Sequence, residues 1–233
     1  MSVKLVSITS PEISDGTEKI TMTPEEFVVY IARVSNPSNQ MNTETAPKLI
    51  NYLVKHKHWS PFEFVDMTVE IVTRRSIAAQ ILRHKSFSFQ EFSQRYSSVT
   101  NVQEIEIRKQ AEKNRQSSAE SFNPTLSESK ITNYKKSGQI KASEAIGDFL
   151  EASMRLYSEL IDAGVAREVA RDILPLATET TMYMKGSLRS WIHYLELRTG
   201  DDTQKEHRDI ANQIKHIFIE NFPNIGEALN FKN

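Results

Sequence analysis

The sequence predicts a helix-rich α+β fold with a central sheet and no dinucleotide-binding Rossmann unit. Three observations lead there. Most of the apolar residues recur at the i, i+3, i+4 spacing of helices, and only a few separated runs alternate with the period of two that marks a strand. These runs are not neighbours in sequence, and with the helices between them they suit a mixed α+β arrangement. The seven glycines include no G-x-G-x-x-G pattern.

In chain order, Met1 to Ile8 has the short alternation of a first strand. Thr23-Pro24-Glu25-Glu26 is a capping box with proline at the first helical position, and it opens a helix carrying Phe27, Val28, Ile31, Ala32 and Val34. A second helix runs from Glu44 to Lys57 through Leu49, Ile50, Leu53 and Val54, and ends before Ser60-Pro61. Val65, Met67, Val69 and Ile71 alternate with Asp66, Thr68 and Glu70, a strand with one buried face. Arg74 to Arg83 returns to helix. Residues 97–139 are polar, with a short strand expected near Val102, Ile105 and Ile107 and a mobile stretch after it.

Lys141 to Ala163 is helical again, closed by Gly164 as C-cap, and Arg167 to Leu174 forms a helix stopped by Pro175. Thr178 to Met184 favours a strand, Gly186-Ser187 a turn and cap, and Leu188 to Arg198 a helix. A final amphipathic helix is expected over Gln204 to Asn221. With 233 residues, the chain is expected to be a single domain, 1–233, with the polar, mobile segment 97–139 as the one hint of a boundary; two small domains are the alternative.

Bulk composition excludes several classes. The chain has no cysteine, which removes disulfides, thiolate metal sites and a cysteine nucleophile. Its formal charge of −1 gives no global field toward nucleic acid or membrane. The N-terminus has no signal-peptide pattern, and no apolar run approaches the ~20 residues needed to span a bilayer, so the expected compartment is the cytoplasm. His56 and His58 are two apart at a helix end, a spacing that points them to different sides, and no carboxylate is grouped with them. No metal is expected there.

The local charge is more informative. From Arg74 to Tyr96, the cations Arg74, Arg75, Arg83, Lys85 and Arg95 face one acid, Glu91, a balance of 5 − 1 = +4. Guanidinium forks bind phosphate oxygens in pairs, the hydroxyls of Ser88 and Ser93 add neutral donors, and Phe87, Phe89, Phe92 and Tyr96 offer stacking faces. This composition suits a phosphorylated nucleotide. It equally suits a module for single-stranded nucleic acid, or a solvated basic helix end followed by a core loop.

The stretch Arg83-His84-Lys85-Ser86-Phe87-Ser88-Phe89-Gln90-Glu91-Phe92-Ser93-Gln94-Arg95-Tyr96 resembles the signature of the flavin-dependent thymidylate synthases. That signature specifies Arg-His-Arg, Ser, Asn, Ser and Arg-Tyr, and six of the eight positions agree, with Lys85 and Gln90 departing. Lys85 keeps the charge but loses the bidentate fork. Ala32 to Asn36, His58 to Glu63, Gly164 to Pro175 and Ser187 to Arg198 resemble further family elements, although Phe64 stands where relatives often carry histidine.

The resemblance implies reductive methylation of deoxyuridine monophosphate (dUMP) to thymidine monophosphate (dTMP). Methylenetetrahydrofolate would be the carbon donor, FAD the bound flavin and NADPH its reductant, with no cysteine nucleophile. It implies a homotetramer with shared active sites and no nucleic-acid or membrane partner. The implied flavin contacts are Ser60, Arg83, His84, Lys85, Glu91, Ser187, Arg189 and His193. The implied substrate contacts are Gln80, Arg83, Glu91, Ser93, Arg95, Arg171 and Arg198, with Arg198 the catalytic residue that helps ionise pyrimidine nitrogen 3. Arg189 and His193 are four apart and share one helix face, whereas Arg198, nine residues after Arg189, is turned to the opposite side at ~100° per residue. For Ser93 a nucleophile is the lesser reading, since no histidine is near it in sequence. For Arg171 the plain alternative is an ion pair with Glu168 at i−3, and for His193 a core histidine.

Overall fold

The computed structural model describes residues 1–14, 18–131 and 138–231. The elements in order are β1 (Ser2–Ile8), β2 (Ile13–Ser14), β3 (Lys19–Ile20), α1 (Pro24–Ala32), α2 (Ala46–Lys55), β4 (Asp66–Arg74) and α3 (Arg75–Ile81). There follow β5 (Ser88–Glu91), β6 (Arg108–Gln110), β7 (Ser118–Ser121), β8 (Thr125–Ser127), α4 (Glu128–Ile131), β9 (Gln139–Lys141), α5 (Ala142–Asp162) and α6 (Arg167–Ala170). The chain ends with β10 (Glu179–Ser187), α7 (Leu188–Arg198), α8 (Lys205–Asn221) and α9 (Pro223–Ala228). A four-stranded sheet has the order β1-β4-β10-β5, and three further strand pairs stand apart from it. The fold is the expected helix-rich α+β type.

Contacts divide the chain into two compact units. Met1–Ile71, Ile81–Gln90 and Met182–Asn233 form the first, and Val72–Gln80 with Glu91–Thr181 form the second. The boundaries fall inside β4, α3, β5 and β10.

The first unit is built on alternation in β4, whose Met67, Val69 and Ile71 are fully buried, and on the apolar stripes of its helices. Ile50 and Leu53 of α2 pack toward α9, and Ile210, Ile214 and Phe218 put α8 against α7 and β1. The capping box is in place: Glu26 N donates to Thr23 Oγ1 at 3.2 Å and Thr23 N to Glu26 Oε2 at 2.7 Å. Its neighbour Glu25 is buried and reaches across to α9, accepting from Ile225 N and Asn224 Nδ2 at 2.7 Å each. A carboxylate 200 residues away in sequence thus caps a helix that has no cap of its own. Burial raises the Glu25 pKa, and these hydrogen bonds lower it.

The second unit has its own small core, in which Val99, Tyr157 and Ala170 pack with Met154, Leu160, Ile161, Val165 and Leu174. Gly164 takes φ +86° just past Ala163, the C-cap of α5, the left-handed conformation that ends a helix without a Cβ clash. Among the described residues of 97–131 the expected strand at Val102 to Ile107 reduces to one bridge, Val102 to Thr178. The chain forms instead the pairs β6–β7 and β8–β9, whose residues are mostly exposed and therefore left no apolar alternation to read. The part of that expectation covering 132–137 lies outside the described residues.

Other boundaries moved for physical reasons. Gly186-Ser187 makes no turn but completes β10, because the missing Cβ of Gly186 leaves the space filled by the Phe87 ring; a Cβ there would meet it at 2.5 Å. Arg74 ends β4 rather than starting α3. The helix expected over Arg167 to Leu174 is one turn of α6 followed by a 3-10 turn, Arg171–Ile173. His56 and His58 do not diverge: α2 ends at Lys55, Lys57 takes φ 56°, and the two rings come to 6.1 Å, both beside Tyr52. Among the described residues no helix is long and apolar enough to cross a membrane.

Candidate active site

In the first unit the site grows from the turn that follows α3. His84 N donates to Ile81 O at 3.0 Å and Phe87 N to His84 O at 3.2 Å, so the chain winds through Arg83, His84 and Lys85 before extending as β5. Phe87 anchors this turn, its ring edge-on to Trp191 at 4.6 Å. Ser190 Oγ ties it to α7 by donating to Ser86 O at 3.2 Å.

The start of α7 is organised by a residue without an assigned role in the sequence, Glu63. It accepts from Ser187 Oγ at 2.5 Å and from Arg189 Nη1 at 2.9 Å, and Ser187 in turn caps α7 through Ser190 N at 3.4 Å. Glu63, Ser86, Arg189, Ser190 and His193 line a cavity of about 450 Å³ with Trp59 as an aromatic wall. Arg189 and His193 share one face as expected. His193 is exposed and is therefore no core histidine. Ser60 begins the 3-10 turn after Trp59 and is itself exposed. Arg83 and Lys85 are exposed, with no polar partner among the described residues.

Arg198, at the other end of α7, meets His84: its Nε donates to His84 Nε2 at 3.0 Å. Its Nη groups have no protein partner among the described residues, so they are free to donate to a ligand. Burial first, then the charge of Arg198 and the neighbouring His193, lowers the His84 pKa from 6.5 to about 4. At neutral pH His84 is uncharged and acts as the acceptor that this bond requires. Beside it Tyr194 and His207 are fully buried, with Tyr194 Oη 3.1 Å from His207 Nε2. Sequence reading assigned neither a role. The available signal was a histidine on the α8 stripe otherwise occupied by Ile210, Ala211, Ile214 and Phe218.

The second unit holds the other set of candidate residues. Glu91 accepts at a single oxygen, Oε1, from Arg75 Nη1 at 2.8 Å and Thr180 Oγ1 at 2.9 Å, leaving Oε2 available. Ser93 starts a turn, with Tyr96 N and Ser97 N both donating to its carbonyl. Ser93 and Arg95 line a cavity of about 380 Å³ together with Arg167 and Glu168. Glu168 pairs with Arg95 at 3.3 Å, while Arg171 donates its Nε to the Glu168 carbonyl at 3.3 Å. In place of the alternative Arg171–Glu168 side-chain pair, the carboxylate of Glu168 pairs with Arg95. Gln80 lies half-buried at the end of α3. All six histidines of the chain fall outside the residues of this unit, so Ser93 has no imidazole within it to take a proton. Hydrogen bonding to an anion is the chemistry it can do.

The comparisons with known proteins agree with one another. A family model described as thymidylate synthase complementing protein matches residues 19–224. A protein of Paramecium bursaria Chlorella virus 1 named probable flavin-dependent thymidylate synthase is 48% identical over 232 residues, covering 99% of this chain and 100% of that one. A flavin-dependent thymidylate synthase of Synechocystis is 46% identical over 229 residues, 98% and 99% of the two chains. One from Thermus thermophilus is 33% identical over 220 residues, 93% and 76% of the two.

Proposed function

The chain belongs to the thymidylate synthase complementing protein family, and from that membership we propose that it converts dUMP to dTMP with methylenetetrahydrofolate, FAD and NADPH. It is an enzyme of that family. The observation that carries the reading is the Arg198–His84 bond, which leaves a half-buried guanidinium with its Nη donors free beside a neutral imidazole.

The donor set fits a phosphate-bearing cofactor: Arg83 and Lys85 have no competing acid among the described residues, and Arg189, Ser190 and His193 line, together with Glu63 and Glu196, a cavity of about 450 Å³. In this reading Ser60, Arg83, His84, Lys85, Glu91, Ser187, Arg189 and His193 hold FAD. Bound flavin supplies the hydride that reduces the transferred methylene to a methyl group. Gln80, Arg83, Glu91, Ser93, Arg95, Arg171 and Arg198 hold dUMP, with Arg95 and Ser93 on the phosphate.

Arg198 donates toward pyrimidine nitrogen 3 and stabilises the negative charge left there as its proton passes to water, which enriches carbon 5 in electron density for attack on the methylene carbon as that carbon's bond to a folate nitrogen breaks. His84 fixes the guanidinium during that step. No enzyme thiolate adds to carbon 6, since the chain has no cysteine. We place the enzyme in the cytoplasm as a homotetramer whose active sites draw on several subunits. Light scattering that reports a monomer at micromolar concentration would contradict that assembly.

Release of tritium from 5-tritiated dUMP that requires methylenetetrahydrofolate, FAD and NADPH together tests the reaction. A protein that stays colourless with added FAD and binds single-stranded nucleic acid in a salt-sensitive way would reverse the reading.

A further inference from the structure

The core of the first unit contains a polar pair that an apolar pair would fill at lower cost. His207 and Tyr194 are fully buried, and His207 Nδ1 has no hydrogen-bond partner among the described residues. An unmatched buried ring nitrogen opposes folding, so the pair costs stability that an apolar pair would not. Burial and the neighbouring Arg198 and His84 lower the His207 pKa to about 3, which keeps its ring neutral. Burial raises that of Tyr194, against the lowering effect of the Arg198 charge, and keeps its proton on.

What the pair touches is specific. The Tyr194 ring stands edge-on to His84 with centroids 4.9 Å apart at 77°, and the His207 ring lies 6.2 Å from His84 at 85°. Phe87 adds a further edge at 6.4 Å. An imidazole half-rotated about its Cβ–Cγ bond would present a carbon in place of a ring nitrogen, and the Arg198 bond would be lost. The packed tyrosine ring opposes that rotation. A phenol held only by packing can slide in its slot, whereas one whose hydroxyl is anchored 3.1 Å from His207 Nε2 cannot.

We propose that Tyr194 and His207 are positioning residues for the reaction: their mutual hydrogen bond anchors the tyrosine ring, and the anchored ring keeps His84 turned with Nε2 toward Arg198. The proposal rests on the reading of Arg198 and His84 as members of the active centre. The ionisable groups around the His84 ring are Arg198, His193 and Tyr194 from α7 and His207 from α8. A loosened ring lengthens the Arg198 contact and admits water, so the two largest of the causes that depress the His84 pKa, burial and the Arg198 charge, weaken.

The test compares the full chain with Tyr194→Phe, His207→Leu and the double variant Tyr194→Phe/His207→Leu. Nuclear magnetic resonance of ¹⁵N-labelled histidine follows His84, and steady-state kinetics follow dTMP formation. In each variant the His84 titration is expected to move up by about one pH unit. The kcat is expected to fall about tenfold, with KM for dUMP changed less than about twofold. The double variant leaves no tyrosine hydroxyl or histidine nitrogen unpaired in the core and regains thermal stability, yet keeps both defects. Single variants with unchanged kcat and His84 titration would overturn the proposal. So would a double variant in which both recover along with the Tm, since that is the signature of a purely structural pair. A wild-type protein that forms no dTMP while the variants still shift His84 would overturn the thymidylate reading and leave the positioning of His84 standing.

Discussion

In the first unit Arg83 and Lys85 are exposed without an acidic partner among the described residues and Arg198 keeps its Nη groups free, whereas in the second Arg75 and Arg95 are each held against a carboxylate. Of the candidate cations in the first unit, Arg189 is paired, with Glu63. The contrast separates two ways of receiving an anion. Open cations attract any phosphate group, at a strength set by solvent and salt. A cation already paired with glutamate exchanges one anion for another, so it favours a ligand carrying more charge than a carboxylate, as a phosphate monoester at about −1.5 to −2 does.

The strongest attack on this comparison removes the cation whose free donors define the first unit. Arg198→Ala is expected to lower turnover by about 10³-fold while flavin absorbance of the protein is kept; full activity in that variant would end its catalytic assignment. Next in size is Gly186→Ala, whose Cβ would meet the Phe87 ring at 2.5 Å. It is expected to destabilise by about 1–3 kcal/mol and to weaken FAD binding by displacing the turn that carries His84, checked by thermal unfolding and flavin titration.

The pH dependence of stability comes third. His84 and His207 have folded pKa values of about 4 and about 3, below the unfolded 6.5. Between those limits the unfolded chain binds protons that the folded one excludes, so their stabilising contribution is complete above pH 6.5 and is lost as pH falls toward 4 and then 3. The Tm is expected to fall across that window, and less steeply in His207→Leu. An equal slope in both proteins would remove His207 from the explanation.

The smallest effect belongs to the second unit. Glu168→Gln frees Arg95 from an exposed pair, and dUMP is expected to bind up to about fivefold tighter, the range such surface pairs span. Weaker binding measured by calorimetry would mean that Glu168 holds Arg95 in place for the ligand rather than competing with it.

The capping box at Thr23, the alternation of β4 and the glycine after α5 could be read from sequence because each depends on residues within a few positions of one another. The strand pairs of 108–141 could not, since their residues are mostly exposed and carry no apolar period. The candidate residues were reached by resemblance, while Glu63, Tyr194 and His207 escaped notice because their partners lie 124, 13 and 13 positions away and no local pattern links them.

By itself the sequence determined the helix-rich α+β class, the local excess of positive charge between Arg74 and Tyr96, the absence of a thiol and the motif that resembles the family signature. Those are properties of composition and short-range order. Only the tertiary structure decided which cations are open and which are paired, that Arg198 donates to His84, and that a buried tyrosine and histidine stand beside that bond. Such facts depend on which distant segments share a few cubic ångströms of low-dielectric space, and there both charge state and hydrogen-bond partner are set by neighbours rather than by residue type.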